Sequence, residues 1–368
     1  MELMRTFIDE HVALLNSLAL GLTGNPLSVT SWCARFHDQP VVLIRSENTA
    51  DKGALGAVEI DHICKVFEYA AKKRWPILFY LNSAGARLSE GDGIQASFRK
   101  LLRSVLEFRT GGHRFIVLMG RNVFGGASLL AMGGDTRIYE PSTRVSMTGP
   151  RVLEKLSDNR NQDVSAIIAA ENRIEKDASG VWAEGQSEVK RALIEALTRS
   201  GPNAAELDMA HIPVAAGPQN VSPRVHINAA GLYCAGTTAP SVVDLAALIS
   251  AVTDWDRENT LTLTCEWPCH SLNTQDENAY QSYLLYGLSE AIYHKVDEGC
   301  EVICHFAEDV SGGLYIALAS ASTEVTASAN VKVQALPYGV VDQIIVSGDV
   351  KKVNVELIAL KIIDRIEG

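Results

Sequence analysis

The stretch from Val123 to Pro150, VFGGASLLAMGGDTRIYEPSTRVSMTGP, most narrows what this chain can fold into. The apolar run FIVLMG (115–120) precedes Gly125-Gly126, the small-residue segment ASLLAMGG follows as a helix, and TRIYEP returns as a short strand. A glycine pair between strand and helix lets backbone, or a ligand, approach with no Cβ in the way. The first amides of such a helix have no partner inside it and can face a developing negative charge. This is the geometry of an oxyanion hole, in which a fixed donor contributes roughly 3–4 kcal/mol to a barrier. The pattern recurs: Val310-Ser311-Gly312-Gly313 opens LYIALASASTEVTASANVKVQALP, and Gly312 stands as far from Pro337 as Gly125 does from Pro150. Two matched turns imply two similar domains, with both turns at one shared cleft.

The flanking sequence supports parallel-sheet architecture. PVVLIRS reads as a strand, and EIDHICKVFEYAAKKRW as a helix with apolar residues at 60, 63, 66 and 67. PILFYLNS (76–83) is the next strand, IQASFRKLLRSVLEFRT the next helix and RFIVLMG the strand before the glycine pair. Alternating strands and helices mean βαβ units and a mainly parallel sheet. The second block repeats this order with SVVDLAALISAVTDW, TLTLTCEW, NAYQSYLLYGLSEAIYHKVDEG, EVICHF, the second turn, LYIALASAS and NVKVQALP. The domains are therefore expected at 1–200 and 241–368, with 201–240, rich in Ala, Gly, Pro and Ser, as a linker. An amphipathic entry helix is expected in MELMRTFIDEHVALLNSLALG and a closing helix in VKKVNVELIALKIIDRIEG.

Loops after successive parallel strands share one sheet edge, where ligands bind. The loop NSAGARLSEGDG (82–93) thus lies beside the first glycine pair. Amides around Gly85 and Ala86, with those around Gly125 and Gly126, can donate jointly to one carbonyl oxygen, and Gly312 and Gly313 supply the second hole. Arg87 and Glu90 either fix the loop by an ion pair or meet a carboxylate substrate. The chain has no G-x-S-x-G elbow, no H-E-x-x-H and no Walker A sequence. Chemistry by charge stabilisation, with carbon dioxide as leaving group, needs no proton removed first.

A net charge of −11 argues against nucleic-acid or anionic-membrane partners. No apolar run approaches the roughly 20 residues of a membrane span, and the amino end lacks a basic signal-peptide region. A cytoplasmic protein is expected. Seven cysteines argue against a disulfide framework. Cys265-x3-Cys269-His270 and Cys300-x3-Cys304-His305 admit a metal cluster, but VICHF reads as a buried strand, which favours packed, reduced thiols and no metal.

These residues resemble a known family. NSAGARLSEG is similar to the D-S/T-G-G-x-R-x-x-E loop of the carboxyltransferase branch of the crotonase-like fold, with Asn82 and Ala84 as departures. VFGGASLLAMGGDTRIYEPSTRVSMTGPRVLE resembles the malonate decarboxylase beta subunit at Phe124, Gly125, Gly126, Ser128, Gly149, Pro150, Val152 and Glu154. The second block resembles its gamma subunit at Ser311-Gly312-Gly313, although EWPCHSLN departs from D-T-P-G. The resemblance implies an α/β fold with two crotonase-like ββα-spiral domains related by pseudo-twofold symmetry, beta and gamma parts fused. It implies decarboxylation of a malonyl thioester to the acetyl thioester through an enolate. It names Gly85, Ala86, Gly125, Gly126, Gly312 and Gly313 as catalytic, and Ser83, Ala84, Arg87, Glu90, Phe124, Ser128, Gly149, Pro150 and Ser311 as substrate-binding. Coenzyme A or a phosphopantetheine-bearing acyl carrier protein would carry the acyl group, with no covalently bound cofactor, in a homo-oligomer or multi-subunit complex. Biotin-dependent carboxyl transfer and a non-catalytic carrier-binding scaffold are the alternatives.

Overall fold

Ile77–Ser83 is buried at every position, and Phe115–Gly120 likewise. Strands buried on both faces belong in the middle of a parallel sheet covered by helices, and that is where both lie. The computed structural model describes residues 3–18, 28–48, 51–156, 163–199, 222–229, 231–256, 259–337 and 357–367. The architecture is the expected α/β class, in two compact units. The first comprises residues 1–87, 104–150 and 163–211, and the second 88–103, 151–162 and 212–368.

The first unit begins with α1 (Leu3–His11), β1 (Val12–Ser17), β2 (Val29–Phe36), β3 (Gln39–Ser46), α2 (Ala57–Lys73) and β4 (Ile77–Ser83). There follow α3 (Ile94–Thr110), β5 (Phe115–Phe124), α4 (Gly126–Met132), β6 (Thr136–Tyr139) and β7 (Arg144–Ser146). Helices α5 (Pro150–Leu156), α6 (Val164–Ile168) and α7 (Ala170–Ile174), strand β8 (Gly180–Trp182) and α8 (Gln186–Thr198) complete the run. The sheet order is β1-β2-β3-β4-β5-β6-β8, antiparallel in β1–β3 and parallel from β3 onward. Met4, Phe7, Leu43, Leu78, Leu118, Val189 and Leu193 pack on one face. On the other, Phe67 of α2 meets Phe108 of α3 and Phe115 of β5 edge-on, both at 5.1 Å.

The entry helix stops at His11, shorter than expected. The apolar residues after it form β1, whose backbone pairs with β2 from Val12↔Phe36 to Ser17↔Trp32. A largely exposed edge strand satisfies those backbone groups where helix propensity alone would have continued the turn.

The second unit contains β9 (Val225–Ile227), β10 (Gly231–Cys234), α9 (Val242–Thr253), β11 (Thr260–Cys265), α10 (Thr274–Asn278) and α11 (Gln281–Asp297). After them come β12 (Glu301–Phe306), β13 (Val310–Ser311), α12 (Gly312–Ala321), β14 (Glu324–Ser328), β15 (Val333–Gln334) and β16 (Arg365–Glu367). Its sheet runs β16-β14-β12-β11-β10-β9, parallel except at β9, and β13 pairs separately with β15. Two strands of this sheet, β9 and β10, fall inside the 201–240 segment expected as linker; 201–221 lie outside the described residues. Gly231 explains why they carried no clear signal, since a Cβ there would sit 2.0 Å from the Thr262 carbonyl oxygen. Of the expected closing helix, 350–356 are outside the described residues, and 357–367 form turns and the strand β16, not a helix. Asp364 directs that change by accepting the Val325 amide at 2.8 Å, which leads β16 alongside β14.

The far end of α4 is anchored by a buried ion pair. Arg137 donates to the Met132 and Gly134 carbonyls at 2.8 and 2.7 Å, and its Nε donates to Asp177 at 2.6 Å. Tyr139 donates to the same carboxylate at 2.6 Å. With side chains 3% and 0% exposed, neither charge finds water if the other is lost. Asp177→Asn or Arg137→Met should cost about 3–5 kcal/mol, measured as a shift in urea unfolding, with α4 loosened first.

Candidate active site

Strand β5 is ten residues long, and its last three pair with β7 as Asn122↔Arg144, Val123↔Val145 and Phe124↔Ser146. The ladder runs one step further, since the Gly125 amide donates to the Ser146 carbonyl at 2.9 Å. Gly125 then turns at φ 57°, ψ −133°, a region almost confined to glycine, and α4 begins at Gly126. Ser128, fully buried, donates its hydroxyl back to the Gly125 carbonyl at 2.7 Å and closes the turn.

The neighbouring loop leaves β4 at Ser83. The buried Ser83 hydroxyl donates to the Gly53 carbonyl at 2.6 Å and accepts the Gly85 amide at 3.1 Å. Ala84 is exposed, and its amide donates to Lys52. Gly85, at φ 96°, lies so close to β5 that a Cβ would stand 2.6 Å from the Phe124 carbonyl oxygen and 3.4 Å from the Gly125 Cα. Ala86 and Leu55 form a parallel bridge through the Leu55 and Arg87 amides, which leaves the Ala86 N–H turned away. Arg87 grips Glu59 with two nitrogens at 2.9 Å and Asp51 at 3.0 Å, pinning the loop to α2. Of the two roles open to it in the sequence, the ion pair is the one seen. Glu90 is exposed and belongs to the second unit.

The structure thus separates the first unit's four proposed donors. The Gly85 and Gly125 amides are taken by Ser83 and Ser146, so these glycines provide conformation. The Ala86 and Gly126 amides have no acceptor among the described residues. Sequence reasoning missed Arg144, although it lies in the family-like stretch. It is half-buried, donates to Asn122 Oδ1 at 2.5 Å and stacks over Phe124 at 5.8 Å. No carboxylate among the described residues pairs with it. Gly149 and Pro150 follow β7, half-buried, with open space where a Gly149 Cβ would be.

In the second unit Ser311 donates to the Pro268 carbonyl at 3.1 Å. Gly312 has φ 61°, and its amide meets no acceptor among the described residues. The Gly313 amide, expected as an oxyanion donor, instead donates to His270 Nδ1 at 3.1 Å. His270 was read in the sequence only as a possible metal ligand. Burial pushes its pKa down to about 4. Burial likewise pushes the Cys265 and Cys269 thiols up to about 12 and about 11, so these cysteines are protonated and packed.

With this geometry in view, relatives are informative. No family model matches the chain. The acetyl-coenzyme A carboxylase carboxyl transferase beta subunit of Limosilactobacillus reuteri is 30% identical over 49% of this chain and 69% of its own length. The chain belongs to this carboxyl transferase family. The match to the corresponding Lactobacillus helveticus subunit is 29% identical over 40% of the chain and 54% of that subunit, so about half of each protein is shared. Among solved structures, transcarboxylase 12S, with hydrolyzed methylmalonyl-coenzyme A bound, aligns with 99% of the carboxyl transferase chain and 86% of its own at 14% identity and a TM-score of 0.47. A Pseudomonas malonate decarboxylase hetero-tetramer in complex with malonate aligns over 52% of the chain and 77% of its own, at 20% identity and a TM-score of 0.43. No helix among the described residues of this family member is long and apolar enough to cross a membrane.

Two outcomes test the turn geometry. Gly125→Ala should lose about 1–3 kcal/mol to backbone strain although the site has room for the methyl, whereas Gly149→Ala should stay within about 0.5 kcal/mol, both by chemical unfolding. His270 gives a pH signature. Its folded pKa lies below the unfolded value of 6.5, so the unfolded chain binds the extra proton between about pH 6.5 and 4. Stability present above pH 6.5 should therefore fall as pH drops through that window, by an amount on the order of 3 kcal/mol, and His270→Gln should flatten that part of the curve.

Proposed function

We propose that this chain decarboxylates a malonyl thioester, carried on coenzyme A or on the phosphopantetheine arm of an acyl carrier protein, without a covalently bound cofactor of its own. The supporting observation is the pair of uncommitted amides, Ala86 and Gly126, on two loops whose backbones touch at Gly85 and Gly125. In the reaction the bond between the α-carbon and the carboxylate breaks, and its electron pair moves toward the thioester carbonyl. Carbon dioxide leaves, and the enolate carbon takes a proton from water. The negative charge gathers on the thioester oxygen, where fixed backbone donors stabilise it without reorganising. Arg144 suits the other end of the substrate, because a guanidinium stacked on an aromatic ring and with no carboxylate partner among the described residues can hold the malonyl carboxylate by paired donors.

The second reading is carboxyl transfer to or from biotin, favoured by what the curated relatives are named for. The chain should be incubated with malonyl-coenzyme A and with malonyl carrier protein, without biotin or ATP. Release of carbon dioxide supports decarboxylation, exchange that requires biotin supports transfer, and binding without turnover leaves a carrier-binding scaffold. Within the decarboxylase reading, the two groups separate kinetically. Arg144→Ala should raise KM about 10- to 100-fold, since a hydrogen-bonded charge contributes about 1.5–3 kcal/mol. Gly126→Val should instead lower kcat about 100-fold, roughly 2.7 kcal/mol, with folding checked by circular dichroism.

A further inference from the structure

We propose that His270 is a catalytic residue of the second unit, its Nε2–H donating to an oxygen of the acyl substrate where the sequence pattern alone would place a backbone amide. This rests on the thioester reading above and adds a side chain to it. The amide of Gly313 can donate to Nδ1 only if that nitrogen carries no proton, so the 3.1 Å bond fixes the ring as the Nε2–H tautomer. The ring is also held in place. It lies so close to the turn that a Cβ on Gly312 would be 2.7 Å from Cε1 and 2.8 Å from Nδ1, which leaves glycine as the residue that fits there. Ser311 ties the turn to the same loop through the Pro268 carbonyl, and Gln281 holds the loop's other side by donating to the Ser271 carbonyl at 2.7 Å.

His270 is only 2% exposed, and its Nε2 has no partner among the described residues. An N–H that no protein acceptor takes up can be completed by an oxygen of a ligand. The titratable neighbours in its own loop and the helix that follows are Cys269, Asp276 and Glu277. Asp276 accepts from the Val242 backbone amide and the Asn273 side-chain amide and Glu277 from Gln281, while burial keeps Cys269 a thiol. Burial is likewise what keeps the His270 ring neutral. A neutral imidazole seated on a helix amide is a fixed electrophile: it polarises an acyl oxygen without giving up its proton. The reaction balance is unchanged, since the enolate carbon still takes its proton from water.

The test uses the full chain. With 15N-histidine labelling, the His270 Nε2–H signal should be present at pH 6–8 and should shift on saturation with acetyl-coenzyme A, which binds without being decarboxylated. His270→Ala should lower kcat on malonyl thioesters about 100- to 1000-fold with KM changed less than about threefold, and added imidazole should restore part of the rate. His270→Gln, which keeps a donor, should retain more activity than His270→Ala. The wild-type kcat should show no titration near pH 6.5. A His270 signal that ignores saturating ligand, or a folded His270→Ala with near wild-type kcat, overturns the role while leaving decarboxylation intact. If the wild type turns over no malonyl thioester but the signal still shifts with ligand, decarboxylation fails and the His270 contact stands. Neither turnover nor a shift overturns both.

Discussion

The first unit depends on one place where backbone meets backbone with nothing between. The loop after β4 rests on the end of β5 through Gly85, against the Phe124 carbonyl and the Gly125 Cα. Any side chain at Gly85 forces the loops apart, and with them the Ala86 and Gly126 amides that remain uncommitted. The surroundings serve this contact. Ser83 and Arg87 hold the loop to residues 51–59, Ser146 and Ser128 hold the turn, and Arg137 with Asp177 fixes the far end of α4. Small residues alone would leave such a turn loose; hydrogen bonds to buried hydroxyls and carbonyls give it one conformation.

Two turns of the same chain pattern have reached different electrostatic states. In the first, the two leading glycine positions keep one amide engaged in the β5–β7 ladder and the next open. In the second, the later amide is stoppered by an imidazole and the earlier one is open. A backbone N–H and a neutral imidazole N–H are both uncharged donors, so either can face a developing anion without the desolvation cost of a buried cation. What differs is reach, for the ring extends the donor several ångströms beyond the turn.

Much of this was legible in the sequence because it was written in backbone terms. Gly125-Gly126 after an apolar strand specified turn, helix and neighbouring loop, and the repeat at Gly312-Gly313 specified a second α/β unit. The strands without a sequence signal, among them β1, β8, β9, β10 and β16, are short or at sheet edges, where pairing decides the conformation and periodicity says little. The donors are not legible in the sequence for a related reason. Which amide of a glycine turn stays open depends on partners far along the chain, such as Ser146 for Gly125 and His270 for Gly313. Arg144 lies in the family-like stretch five residues before Gly149, but its ring partner Phe124 comes from the neighbouring strand, a pairing the sequence does not spell out.

Helix α3 carries a consequence for how this chain can be divided. Its residues 94–103 belong to the second unit although they precede most of the first in sequence. There Arg103 donates to the Ser322 carbonyl at 3.2 Å at the end of α12 and stacks on Tyr293 at 4.6 Å, and Arg99 pairs with Asp364 at 2.7 Å. A break between 201 and 221 would look natural in sequence, yet the C-terminal fragment would leave without the segment that covers the last turn of its own α12. The two halves of this chain are therefore not two independent inheritances. The second needs 94–103 returned to it, as a peptide or by circular rearrangement, before it can be whole.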